Sequence, residues 1–261
     1  MISINEIRRM GRQMSVPETT IERDYSQNWL LYGIMKSDLE MALKGGTGIR
    51  KMYIENYRFS DDLDFTLLED YSLEELNQNI VKSLEIAKKV AGIGFENEIS
   101  TSEVENGYVI NTYFKFSGSS NLRLKIKLDL TKKKNENVIL PLSKVDIIHP
   151  FSDVFECKVL GYSLMELYSE KIRALFQRIR PRDLYDIWFL SKKNLDVYDI
   201  VKEKFELKGV SFDLEEIGGK RYQFLNAWEN SLKHQMKEVP EFEIVFNEVM
   251  VLLENIEKSM R

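Results

Sequence analysis

The sequence predicts an α/β (α+β) protein, with a sheet-containing region over residues 1–160 and a mainly helical region over 161–261. Three observations carry this. Alternating apolar and polar residues recur before residue 161, most cleanly in LRLKIKLDL at 122–130, whose even positions are all apolar. After Gly161 the apolar residues recur instead at helical spacing. Within the first region, Gly45-Gly46-Thr47 stands shortly before a short acidic strand, Asp62-Leu63-Asp64-Phe65. Successive strand side chains alternate faces, so Asp62 and Asp64 share one face while Leu63 and Phe65 take the other.

In chain order, residues 1–20 begin with isoleucines among charges and suggest a short helix before Pro17. Glu22-Arg23-Asp24-Tyr25 opens a helix with Trp29, Leu30, Leu31, Ile34 and Met35 at core-facing spacing. Met41 to Lys44 reads as a strand, Ile49 to Tyr57 as a helix and Phe59 to Leu68 as the acidic strand. Ser72 and Glu75 form a capping box for a helix to about Val90, with Leu73, Leu76, Ile80, Leu84 and Ala87 facing inward. Phe95 to Phe116 alternates, and Gly118-Ser119-Ser120-Asn121 is a turn signal before the 122–130 strand. Val145–Ile148 and Phe155–Leu160 add strand patterns around Pro150. Ser163 and Glu166 form a second capping box, opening a helix to about Gln177, and Pro181 starts the next. Gly218-Gly219-Lys220 lacks the rest of a phosphate-binding loop and reads as a plain loop, and His234 as a surface residue. Glu241 to about Lys258 is a final amphipathic helix.

The residues that carry chemistry cluster in two stretches. Two neighbouring carboxylates repel each other and call for a cation, for which Mg²⁺ (or Mn²⁺) shared with substrate phosphates is the usual solution. Gly45 and Gly46 let backbone N–H groups approach an anion closely, with the Thr47 hydroxyl beside them. Arg58 either steadies triphosphate charge or pairs with Asp61, and Ser60 lies next to it. On the polar face of the 122–130 strand, Asp129 follows Lys125 and Lys127, and Lys132-Lys133-Lys134 form a basic loop. These lysines could contact a polynucleotide backbone or simply be solvated. The second stretch is EKIRALFQRIRPRDLYDIW, with Lys171 near the edge of an apolar helix face and Asp183 in the first turn of the next helix.

GGT followed after about a dozen residues by D-x-D resembles the DNA polymerase β-like nucleotidyltransferases. The fuller GGT…RFSDDLDF, the upstream ERDY and the RPRDLYD segment resemble the AbiEii/AbiGii nucleotidyltransferase-like toxins of abortive-infection and type IV toxin–antitoxin systems. The resemblance implies a polymerase β-like core with a mixed sheet, followed by a helical domain that completes the nucleotide site. It implies that Asp62 and Asp64 hold the metal, with Asp129 as the third carboxylate. It assigns Gly45, Gly46, Thr47, Arg58 and Ser60 to the nucleotide, together with Lys171, Arg182, Asp183 and Asp186. Asp61 stands where the family often has glutamate, a small departure. An NTP donor, an RNA acceptor (the 3′ end of tRNA) and a separately encoded antitoxin are the implied partners.

Bulk properties are those of an ordinary soluble globular protein. The chain has 261 residues, 43% hydrophobic and 30% charged, ample for a core. A net charge of −5 argues against a general nucleic-acid coat protein without excluding a local basic patch. One cysteine, Cys157, leaves no internal disulfide, and two distant histidines make a His/Cys zinc site a poor fit. With no signal-peptide pattern at Met1–Val16 and no apolar run of membrane-spanning length, a cytoplasmic location and no membrane partner are expected. Two other readings stay open: a metal-dependent nuclease, which leaves GGT and RPRDLYD unexplained, and a non-catalytic binding protein, which predicts lost carboxylates.

Overall fold

Two helices precede the sheet. The computed structural model describes residues 1–116 and 122–260, so the turn expected at Gly118–Asn121 lies outside the described residues. Helix α1 (Ile4–Met14) is capped by Ser3, whose hydroxyl accepts the backbone N–H of Glu6. Pro17 precedes α2 (Glu18–Met35), where its missing N–H removes no helical bond. The sequence suggests one buried face for α2. Instead most of its residues from Thr20 to Ile34 are buried, Asp24, Gln27 and Asn28 included, because α1, the later α4 (Leu73–Ala91) and the sheet all pack on it. Those polar groups then require partners inside the protein.

Strand β1 (Met41–Lys44) passes directly into a single helical turn, α3 (Gly45–Gly48), which continues as a π-helical stretch, Ile49–Tyr53. The helix therefore starts four residues before the expected Ile49 and ends before Tyr57. Strand β2 (Asp62–Leu67) follows, and then α4, with the Ser72–Glu75 capping box formed in both directions. Leu73 faces out, 40% exposed, whereas Leu76, Ile80, Leu84 and Ala87 are buried. The alternation at 95–116 resolves into β3 (Gly94–Phe95), β4 (Ser100–Val104) and β5 (Gly107–Lys115). Glu105 and Asn106 make the two-residue turn of the β4–β5 hairpin. Strands β6 (Leu124–Thr131), β7 (Ser143–Asp146) and β8 (Lys158–Gly161) complete the sheet.

Its order is β3-β5-β6-β2-β1-β8-β7, with β4 also paired to β5. The β2–β6 and β1–β8 pairs are parallel and the others antiparallel, so the sheet is mixed. The even positions Ile126, Leu128 and Leu130 of β6 are buried, which leaves the odd positions, Asp129 among them, on the opposite face.

The remaining helices are α5 (Leu164–Gln177), α6 (Pro181–Ser191), α7 (Tyr198–Lys208), α8 (Leu214–Gly219), α9 (Arg221–Leu232) and α10 (Phe242–Met260). Gly218 and Gly219 end α8 rather than forming a loop, and His234 is half-buried. The chain divides into two compact units, Met1–Glu136 with Leu142–Tyr162, and Asn137–Pro141 with Ser163–Arg261. The short Asn137–Pro141 strip belongs with the helices for a specific reason. Glu166, expected to close a capping box with Ser163, instead accepts the backbone N–H groups of Ile139 and Leu140 at 3.0 and 2.9 Å. It also pairs with Lys204 at 2.6 Å, so only the Ser163 half of the box forms.

Candidate active site

The geometry begins with register. Leu63 and Phe65 are fully buried, so the pleat turns Asp62 and Asp64 to the other face. Parallel pairing of β2 with β6 sets Asp62 opposite Lys127 and Asp64 opposite Asp129. Three carboxylates from two adjacent strands thus share one face, with a lysine among them. The Lys127 ammonium lies 3.1 Å from an Asp62 oxygen and 2.7 Å from an Asp129 oxygen. Burial disfavours its charge, but the hydrogen bonds and charges of Asp129 and Asp62 outweigh that and raise its pKa above the ordinary lysine value. Lys127, which the sequence reading leaves as a flanking charge, is therefore the internal counter-ion of the acidic face. Finding it requires knowing the strand register.

Among the described residues no three His, Cys, Asp or Glu side chains converge into a ready-made metal cage. The donor set nevertheless suits a hard cation. Mg²⁺ is commonly held by one or two carboxylates, with phosphate oxygens and water completing the shell.

The glycines sit against this face. Gly45 has φ +70°, and a Cβ there would lie 2.2 Å from an Asp64 carboxylate oxygen. The strand must turn into the helix in one step while passing the acidic side chain, which only glycine allows. A Cβ on Gly46 would come 2.9 Å from the Arg58 guanidinium and 3.3 Å from the Ser60 hydroxyl. Gly45, Gly46, Arg58, Ser60 and Asp64 are therefore neighbours. Gly45→Ala is expected to lower stability by about 2 kcal/mol through left-handed strain and to displace Asp64. Urea unfolding of the variant beside wild type measures this.

Thr47 departs from expectation. It is fully buried, and its hydroxyl donates to the backbone carbonyl of Asp62, tying the glycine turn to the acidic strand instead of facing a phosphate. Helix α2 braces the same strand. The Gln27 side-chain amide donates to the carbonyls of Ser60 and Asp61, each at 3.0 Å, and Arg23 pairs with Asp61 at 2.9 Å. One turn along, Asp24 receives Arg50 at 2.8 Å and Lys51 at 2.7 Å, all three buried. No local spacing marks these supports, because their partners are far apart in sequence.

The second expected stretch forms its own cluster in the helical unit. Lys171 on α5 is buried, with its ammonium 2.8 Å from Asp183 and 2.8 Å from Asp186, both on α6. Asp183 also accepts from Arg178 at 2.7 Å. Burial alone would raise the Asp183 pKa, but Lys171 and Arg178 hold it well below the usual carboxylate range. Pro181 starts α6, which puts Arg182 and Asp183 in its first turn, and Arg182 stays half-buried there. The arrangement pins α5 to α6 as well as presenting charge. Lys171→Met removes the cation shared by two buried carboxylates and is expected to cost about 3 kcal/mol, the lower end for breaking a buried pair because Arg178 remains on Asp183. Thermal melting of the variant is the check.

A sequence profile described as "Nucleotidyl transferase AbiEii toxin, Type IV TA system" matches residues 29–250. The fold is similar to that of MenT4, a nucleotidyltransferase toxin from Mycobacterium tuberculosis H37Rv, with TM-score 0.67 and 16% identity, covering 100% of this chain and 94% of that one. An antigenic nucleotidyltransferase-like protein from Paracoccidioides brasiliensis aligns with TM-score 0.39 and 14% identity, over 64% of this chain and 74% of that one. Among curated protein sequences none matches. No helix among the described residues is long and apolar enough to cross a membrane. The profile spans both the acidic strands and the Lys171–Asp186 cluster, and the chain belongs to the AbiEii nucleotidyltransferase toxin family.

Proposed function

We propose that this protein is a metal-dependent nucleotidyltransferase toxin of a type IV system, transferring a nucleotide from an NTP to RNA, with the 3′ end of tRNA as acceptor. The observation that carries the reading is the three-carboxylate face, Asp62 and Asp64 beside Asp129, next to the Gly45-Gly46 turn. Asp62, Asp64 and Asp129 would hold Mg²⁺ or Mn²⁺, which supplies charge neutralisation for the triphosphate and a lowered pKa for the attacking hydroxyl.

The chain's own groups would do the rest. The Gly45–Gly46 backbone and Arg58 cradle the phosphates, with Ser60 adding a hydroxyl. Lys127, free to leave its carboxylates when a cation replaces it, can turn to a phosphate oxygen. Lys171, with Arg182, Asp183 and Asp186, is assigned to the nucleotide as a fixed charge cluster. In the transfer an acceptor hydroxyl oxygen bonds to the α-phosphorus as the bond to the bridging oxygen breaks and pyrophosphate leaves. Such chemistry depends on positioning and on charge placed beforehand rather than on a covalent intermediate. A cognate antitoxin would restrain the activity in the cell.

The test is label transfer from each α-labelled NTP to total tRNA with Mg²⁺. Label on tRNA, lost on chelation, supports the reading and names the donor. Label on protein alone would replace the acceptor, and no label on RNA or protein with any NTP would overturn the transferase reading.

A further inference from the structure

A groove of about 490 Å³ lies on the helical unit, lined by Val239 and Pro240 and by the aromatic residues of α6. Its size falls in the range of about 300–1,000 Å³ usual for ligand sites. Tyr185 sits with its ring centroid 5.9 Å from that of Trp188 and 6.0 Å from that of Phe189. Two exposed lysines one turn on complete the arrangement. Lys192 holds its ammonium 3.4 Å from the Trp188 ring centroid, and Lys193 lies 5.4 Å from that of Phe189. The Trp188 indole N–H donates to Glu248 at 2.7 Å, which fixes the ring in its plane. Lys192 reaches the same Glu248 only loosely, at 3.8 Å between exposed groups, so its charge remains available.

This combination selects its occupant. Cation–π attraction holds the Lys192 ammonium on the Trp188 ring, and a base takes that face when the ammonium moves to an adjoining phosphate. Single strands offer that pairing, an unstacked base followed at once by a phosphate, and proteins that bind them combine aromatic platforms with lysines. A neutral apolar ligand would leave both lysines unused. Glu238, the acidic residue of the lining, offers an acceptor for an exocyclic amine on a base edge.

We propose that this groove binds a single-stranded segment of the RNA acceptor, with a base stacked at Trp188 and the adjoining phosphates on Lys192 and Lys193. The assignment rests on the RNA-acceptor reading above, and it adds a substrate site at a distinct place on the helical unit.

The test measures fluorescence anisotropy of a labelled single-stranded RNA of about 12 nucleotides, a length that spans an ordinary single-strand site. Wild type is compared with a Lys192→Glu/Lys193→Glu double variant, whose exposed positions leave the core untouched, and with Trp188→Leu. The expected result is binding weakened at least about tenfold in the double variant, with a shallower dependence on salt, because two phosphate contacts are lost. Ultraviolet cross-linking of 4-thiouridine-substituted RNA should map to the α6 peptide that contains Trp188. Unchanged affinity in the double variant, cross-links confined to other peptides, or no RNA binding by wild type would each overturn it. Normal label transfer to RNA by the double variant would sink the groove assignment and leave the transferase reading standing. Groove-dependent RNA binding without any transfer would do the reverse.

Discussion

Asp64→Asn is expected to reduce nucleotide transfer by about 10²–10³-fold, the scale set by removing one preorganised polar group from a reacting centre. Asparagine keeps the shape that Gly45 accommodates, so the turn and the β1–β2 pairing remain. What disappears is one of three negative charges on the β2–β6 face, at the position directly opposite Asp129. Lys127 keeps its contacts with Asp62 and Asp129. Single-turnover transfer at saturating NTP, with melting curves of the same samples, separates chemistry from folding. Transfer within about tenfold of wild type would remove Asp64 from the machinery.

Asp24→Ala is expected to cost about 3–5 kcal/mol, a large part of the total stability of an ordinary domain. It leaves Arg50 and Lys51 buried with no carboxylate between them, and they can only retain backbone carbonyls such as those of Tyr57 and residue 24 itself. Two cations share one carboxylate in the native cluster, so the partners respond differently. Burial would raise Asp24, but Arg50 and Lys51 pull its pKa down to about 2 from 3.8. Lys51 is the surplus cation, and burial pushes it down to about 8 despite Asp24.

The pH dependence follows from these directions. Asp24 binds its proton less readily folded than unfolded, so its contribution is fully present above about pH 4 and lost as pH falls towards 2, about 2 kcal/mol in all. Lys51 binds its proton less readily folded than unfolded, so stability rises as pH climbs from about 8 to 10.5. Urea unfolding across both windows checks this. Asp24→Ala should lose the acid-side slope that Asp24 contributes. Lys51→Met, which removes the surplus charge, should cost less than Asp24→Ala. Equal costs would show that the cluster is not limited by its excess positive charge.

What the amino-acid order settled by itself was whatever depends on local spacing. Strand alternation put Asp62 and Asp64 on one face, and it turned Asp129 away from the buried Ile126, Leu128 and Leu130. Glycine spacing marked the turn at Gly45, and the RPRDLYD segment marked the start of α6 at Pro181. Those features are properties of a few consecutive residues, so a linear reading reaches them. Only the tertiary structure decided which strand lies beside which. The parallel β2–β6 register brings Asp129 to Asp64 and Lys127 to Asp62, and a shift of one residue in β6 would have turned Asp129 and Lys127 to the face opposite Asp62 and Asp64. It also decided the roles of Thr47 and Glu166, whose local motifs suggest a phosphate contact and a capping box. Burial directs them to the Asp62 carbonyl and to the Ile139–Leu140 backbone instead. The Asp24–Arg50–Lys51 cluster belongs to the same class. A buried charge takes whatever partner the fold brings within reach, because leaving it alone in a low-dielectric interior costs more than any local preference.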